Sequence, residues 1–193
     1  MKLDKLFSEY PYLEGHTVKL MKIIDEDLDH LFKIYDNDNV FQYCGIIPKH
    51  NKKIVGNMIS HFERDFNKRS IVKLGIFIQG EKRTLSGIIE IMNFNKRVNA
   101  VTIGYFLAEE YWGKGIATEA VTLLRNFLFN EIEINRIQAE VMLNNTSSKR
   151  VLLKNDFVKE GIHRQAAYWP GKGIIDYEVY GILKTEYELN LKL

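Results

Sequence analysis

Gly113, Lys114 and Gly115 stand between an extended apolar run, GYFLAEEYW from residue 104, and a stretch spaced as a helix, IATEAVTLL from residue 116. No Ser, Thr, Asp or Asn caps that helix. A helix leaves its first four N–H groups without internal partners, and its dipole draws anions to that end. Glycines keep the approach open and allow backbone angles that other residues avoid. The stretch therefore reads as a phosphate cradle, with Lys114 adding a charge. The alternative is a glycine-rich turn that only lets the helix pack closely. A P-loop is excluded, because residue 108 is Ala and Lys114 is followed by Gly115. A dinucleotide fingerprint needs a small third residue where Thr118 stands, and a parallel βαβ unit that the preceding meander does not supply.

A second candidate is Glu90, inside the apolar run SGIIEIMNF. Desolvation there raises a carboxylate's pKa and suits it to act as a base. The alternative is a buried glutamate paired across the sheet. Glu119, on the helix behind the cradle, reads as structural. Cys44 is the single cysteine, so an internal disulfide and a cysteine metal cluster are excluded. The histidines at 16, 30, 50, 61 and 163 lack metal-ligand spacing, so no metal is expected. A net charge of +2 argues against direct nucleic-acid binding. The N-terminus lacks a signal-peptide core and no run is long enough for a membrane helix, so a cytoplasmic protein without a membrane partner is expected.

The elements that must hold these residues follow from periodicity. Residues 16–23 alternate as a strand, Asp25 opens a helix bearing Leu28, Leu31, Phe32 and Tyr35, and 51–67 form a second helix. Strands at 71–79, 84–92 and 98–107 make an antiparallel meander. The cradle helix runs to about 130, a strand covers 134–143, and a short helix ends before Phe157, with Asp156 in a left-handed conformation. Strands at 157–164 and 175–184 close the chain, joined by RQAAYWPGKGII. The sum is one α+β domain over residues 1–193, a central mixed sheet of about seven strands flanked by about four helices.

IGYFLAEEYWGKGIATEA (103–120) followed by NNTSSKRVLLKNDFVKEG (144–161) resembles the GNAT superfamily of acetyl-CoA-dependent N-acetyltransferases. The chain is most similar to its ribosomal-protein N-terminal (Rim-type) branch. Gly115 and Ala117 match the superfamily signature, whereas Trp112 replaces its usual Arg or Gln. Asn145, Ser148 and Phe157 match the second motif, with Asp156 in place of its usual glycine.

The resemblance implies direct acetyl transfer from acetyl-CoA to an amine. It places the coenzyme's diphosphate on the loop of Trp112, Gly113, Lys114, Gly115, Ile116, Ala117 and Thr118. It runs the pantetheine along the strand ending at 104–107, and offers the thioester oxygen a backbone N–H near Phe106 or Leu107. Asn145 would bond the pantetheine amides, or simply cap a helix. Ser148 would protonate the leaving thiolate, or only start that helix; Glu90 stays the candidate base by its place in an apolar strand, with cross-strand pairing as the alternative. Tyr168 and Trp169 would line the acceptor cleft, or serve packing or a homodimer. The acceptor is expected to be a protein N-terminus. A small amine (polyamine, aminoglycoside or amino-acid derivative) and a non-catalytic acyl-CoA-binding module are the alternatives.

Overall fold

In a computed structural model, which describes residues 1–190, the chain folds around one mixed eight-stranded sheet. The strands are β1 (Leu13–Glu14), β2 (Val18–Met21), β3 (Val72–Ile78), β4 (Leu85–Asn95), β5 (Ala100–Leu107), β6 (Arg136–Met142), β7 (Val158–Trp169) and β8 (Gly173–Leu183). The helices are α1 (Leu3–Leu6), α2 (Leu28–Tyr35), α3 (Asp38–Phe41), α4 (Lys52–Asn67), α5 (Ile116–Asn130), α6 (Thr146–Leu153) and α7 (Lys184–Asn190). The sheet order is β1-β2-β3-β4-β5-β6-β8-β7. Beyond the expected elements, the structure adds the two-residue β1, the one-turn α1 and α3, and α7. Such short pieces carry too few residues for a period to register.

Side chains alternate across the strands. Ile89, Ile91, Val101, Ile103 and Leu107 pack on one face against α5, whose Ala120, Val121, Leu124 and Leu128 are fully buried. Ile88 and Phe106 pack on the other face with Leu31, Ile34, Val55 and Phe62 of α2 and α4. A sheet covered on both faces loses the polar half of its alternation, which is why β4 reads as an unbroken apolar run. Asn51 caps α4 by accepting from the N–H groups of Lys53 at 3.0 Å and Ile54 at 3.2 Å.

Two departures from regularity make the site. β5 pairs with β6 in parallel only from Ala100–Thr102 to Arg136–Gln138, and beyond Thr102 the two strands separate. β7 and β8 extend further than their sequence suggests. The expected connector is mostly strand, pairing Tyr168 with Ile174 and Trp169 with Gly173, so only a tight turn is left. Gly171 and Gly173 carry that turn at φ +77 and +73, and Asp156 is left-handed as expected, at φ +64.

Candidate active site

The gap between β5 and β6 opens a groove that ends at the N-terminus of α5. Gly115 stands at the cap with φ +82 and ψ −10, and Gly113 has φ +72. A β-carbon at either would meet no atom within 4 Å, so backbone conformation and not crowding selects glycine. An ordinary residue held there costs about 1–2 kcal/mol. The first bond of α5 runs from the Glu119 N–H to the Gly115 carbonyl, at 3.1 Å. The N–H groups of Ile116, Ala117 and Thr118 lie before it, and no side chain caps them. The cavity of about 230 Å³ beside them is lined by Gly113 and Gly115–Thr118, from α6 by Ser147, Arg150 and Val151, and by Lys154 at the C-cap of α6. Arg150 and Lys154 were missed in the sequence. Their spacing of four on one helix face was the signal.

A second cavity, of about 200 Å³, continues the first through Leu107, Gly113, Ala117, Ser147 and Val151. It is lined further by Gln42, Tyr43, Cys44, Tyr105, Phe106, Trp112, Asn145 and Ser148. Backbone direction separates the two oxyanion candidates. The Ala108 N–H donates to the Ser86 carbonyl at 2.8 Å, and Phe106 pairs with Ile88 in the same register. Alternate residues of an antiparallel pair face the same neighbour, so the Phe106 N–H is spent on β4. The Leu107 N–H points into the gap. Phe106 thus lines the cavity with its ring, and of the two backbone donors expected only the Leu107 N–H faces the gap. The Leu107 carbonyl accepts from the Trp112 indole N–H at 2.9 Å.

Asn145 Oδ1 accepts from the Ser148 N–H at 3.1 Å and caps α6, leaving the side-chain NH₂ for a ligand in the cavity. Ser148 Oγ lies 2.9 Å from the Tyr105 hydroxyl. The Cys44 thiol is pushed up to about 12 by burial and then by the nearby Glu90 carboxylate, so it stays protonated. Buried ties fix α6. Glu178 bonds Lys159 at 2.7 Å, Lys149 at 2.9 Å and the Tyr180 hydroxyl at 2.9 Å. Burial pushes the Glu178 carboxyl up, but these bonds outweigh it and bring the group down to about 2. Asn155, fully buried, donates to the carbonyls of Thr118 at 3.1 Å and Val151 at 3.0 Å, clasping the first turn of α5 to α6.

Glu90 is not among the residues lining either cavity. It forms an ion pair with Lys73, directly opposite on β3, and both side chains are nearly buried, at 13% and 14% exposure. This is the cross-strand pairing that the sequence left open, and it corrects the expectation of a desolvated, unpaired base. Glu119 accepts from the Thr17 N–H at 2.9 Å, from the His16 N–H and from the Thr17 hydroxyl, pinning the β1–β2 turn to α5.

The tip of the β7–β8 hairpin leans over the far end of the groove. Lys172 Nζ donates to the Gln42 carbonyl and lies 5.2 Å from the centroid of the Tyr43 ring. The Trp169 indole packs on Gly45, where a β-carbon would come 3.4 Å from Nε1. Tyr168 points outward, 73% exposed, and neither aromatic is among the residues lining the cavity. Among the described residues, no three His, Cys, Asp or Glu side chains converge as a metal site needs, and no helix is long and apolar enough to cross a membrane.

A family model described as an acetyltransferase (GNAT) domain matches residues 18–158. The uncharacterized N-acetyltransferase YoaA of Bacillus subtilis (strain 168) is 30% identical over 91% of this chain and 98% of its own length. The ribosomal-protein-serine acetyltransferase of Escherichia coli (strain K12) is 27% identical over 87% of this chain and 88% of its own. The spermidine N(1)-acetyltransferase of that strain is 26% identical over 76% of each. An acetyltransferase of the GNAT family from Bacillus anthracis superposes with a TM-score of 0.80 at 20% identity, covering 91% of this chain and 99% of that one. The microcin C7 self-immunity acetyltransferase MccE, solved with acetyl-CoA and AMP, superposes at 0.77 with 18% identity, covering 88% and 93%. Both structures share this fold.

Proposed function

The chain belongs to the GNAT family of acetyl-CoA-dependent N-acetyltransferases, and on that premise we propose that its acceptor is the free N-terminal amine of a protein, of the ribosomal-protein type. The reading as an enzyme replaces that of a non-catalytic module. The observation that carries the site assignment is the β5–β6 gap leading to the uncapped N-terminus of α5. The diphosphate sits on the N–H groups of residues 113–118, with Lys114, Arg150 and Lys154 adding charge around it. The pantetheine runs past Leu107 to Asn145. The Leu107 N–H faces the thioester oxygen, where charge gathers during transfer. Ser148 gives the departing sulfur its proton.

The acceptor reading rests on the hairpin. Its tip presents Tyr168 and Ile174, 73% and 69% exposed and paired across the strands, as an apolar face on which a peptide can lie. We read that face as an acceptor contact and not as a dimer interface. The tip's charge beside the groove is Lys172, a poor neighbour for a polycation. The relative that acetylates ribosomal-protein serine supports the same reading.

A polyamine acceptor is the second reading. It is favoured by the acids on the rim next to Asn39, though each already has a partner. Asp36 and Asp38 bond His50 at 2.9 and 3.2 Å, and Glu109 bonds Asn37 at 2.9 Å and Asn39 at 3.1 Å. Release of free CoA is the test, read with N-terminal peptides, spermidine and aminoglycosides as acceptors. Peptide turnover above all small amines supports the first reading, and spermidine turnover above all peptides replaces it with the second.

A further inference from the structure

Tyr105 lies on β5, and its hydroxyl reaches across the groove to α6, where it has two neighbours on one residue. Ser148 Oγ is 2.9 Å away and the Ser148 carbonyl is 3.2 Å away. A phenol carries one proton, so it serves one of these at a time as a full donor. The carbonyl belongs to the first turn of α6 and already accepts the Leu152 N–H by helical geometry. It does not need the tyrosine. Given to Oγ, the tyrosine's proton fills a lone pair of the serine and turns the serine's own hydrogen out toward the groove. Given to the carbonyl, it lets that hydrogen fall on the phenol oxygen and face away from any ligand. Leu107, Ala117 and Val151 share this cavity wall, and a Phe at 105 would suit them. A half-buried hydroxyl there needs a partner, and the nearest partner is the serine.

We propose that Tyr105 is the positioning residue for Ser148: its hydroxyl donates to Ser148 Oγ, aims the serine's hydrogen at the coenzyme sulfur, and steadies the charge that gathers on Oγ as that hydrogen leaves. The proposal rests on the role given to Ser148 above. The step balances within the two substrates. The neutral amine nitrogen bonds to the thioester carbon, the carbon–sulfur bond breaks, and its electron pair goes to sulfur. The Ser148 proton follows, and Oγ regains one as the nitrogen of the new amide sheds its own. Burial pushes the Tyr105 phenol well above the ordinary tyrosine range, against the opposing pull of the Ser148 bond, so it holds its proton and stays a donor.

The test is a double-mutant cycle on Tyr105→Phe and Ser148→Ala. Release of free CoA is followed with a short peptide bearing a free N-terminal serine, and again without it, where water is the acceptor. Calorimetry gives acetyl-CoA affinity, and thermal melts check folding. Ser148→Ala is expected to slow CoA release by up to about 100-fold. Tyr105→Phe is expected to slow it about tenfold with acetyl-CoA affinity unchanged, and to add nothing in the Ser148→Ala background. An equal loss in both backgrounds overturns the proposal, because Tyr105 then acts independently of the serine. Full activity of Tyr105→Phe, or a loss that appears only as weaker acetyl-CoA binding, overturns it too. Full activity of Ser148→Ala alone removes instead the serine role on which it rests.

Discussion

The two ends of the groove are built from different material. The end proposed for phosphate is main chain: Gly113 and Gly115 in left-handed conformations, then the bare N–H groups of Ile116, Ala117 and Thr118. The end proposed for the thioester is made of side chains from separated segments, Cys44 and Tyr43 after α3, Tyr105 on β5, Asn145 and Ser148 at the start of α6. A main-chain site depends on backbone angles and open space, and tolerates changes in the side chains around it. A side-chain site depends on the packing that holds each residue, and buried ties such as Glu178 and Asn155 supply that here.

The largest effect should follow from filling the main-chain end. Gly115→Glu puts a carboxylate at the proposed phosphate position and a side chain where φ is +82. Calorimetry should detect no acetyl-CoA binding while the protein still melts cooperatively. Unchanged affinity in the folded variant would mean that the phosphates lie elsewhere. Next in size is Glu90→Gln, which leaves the Lys73 ammonium nearly buried and unpaired. Breaking such a pair costs about 3–5 kcal/mol. The melting temperature should drop clearly, while the pH profile of kcat keeps its shape. A variant as stable as its parent that loses the lower ionisation of kcat would return the base role to Glu90.

Acid should distinguish the ends as well. Glu178 lies at about 2 in the folded protein against an ordinary 4.5. A depressed carboxylate contributes its full stability above the unfolded value and loses it as pH falls from 4.5 through about 2. Unfolding titrations should therefore steepen in that window. Glu178→Gln should flatten this limb, and an unchanged limb in the variant would assign the acid sensitivity to other carboxylates. The smallest effect is expected at the hairpin. Tyr168→Ala should raise the acceptor KM several-fold, as loss of one exposed aromatic contact would, and leave the acetyl-CoA KM alone. Equal constants in variant and parent would make Tyr168 a surface or dimer residue.

Seven of the eight strands, the four main helices and the glycine turn that opens α5 were legible because each is written in neighbouring residues. Period, glycine placement and missing caps are local facts, and a backbone site needs no distant partner. The motif pair around Gly115 and Ser148 carried the family for the same reason. What the sequence left open was decided across the sheet. Lys73 opposite Glu90 turned a candidate base into half of an ion pair, and strand register assigned the free N–H to Leu107 instead of Phe106. Tyr105 met Ser148 only because β5 and α6 close on one groove, 43 positions apart in the chain. The hairpin's reach to Gln42 depended on β7 and β8 pairing to their tips. Periodicity says which face a residue takes. Which partner stands on that face is set by register and packing, which bring together residues that the chain keeps far apart.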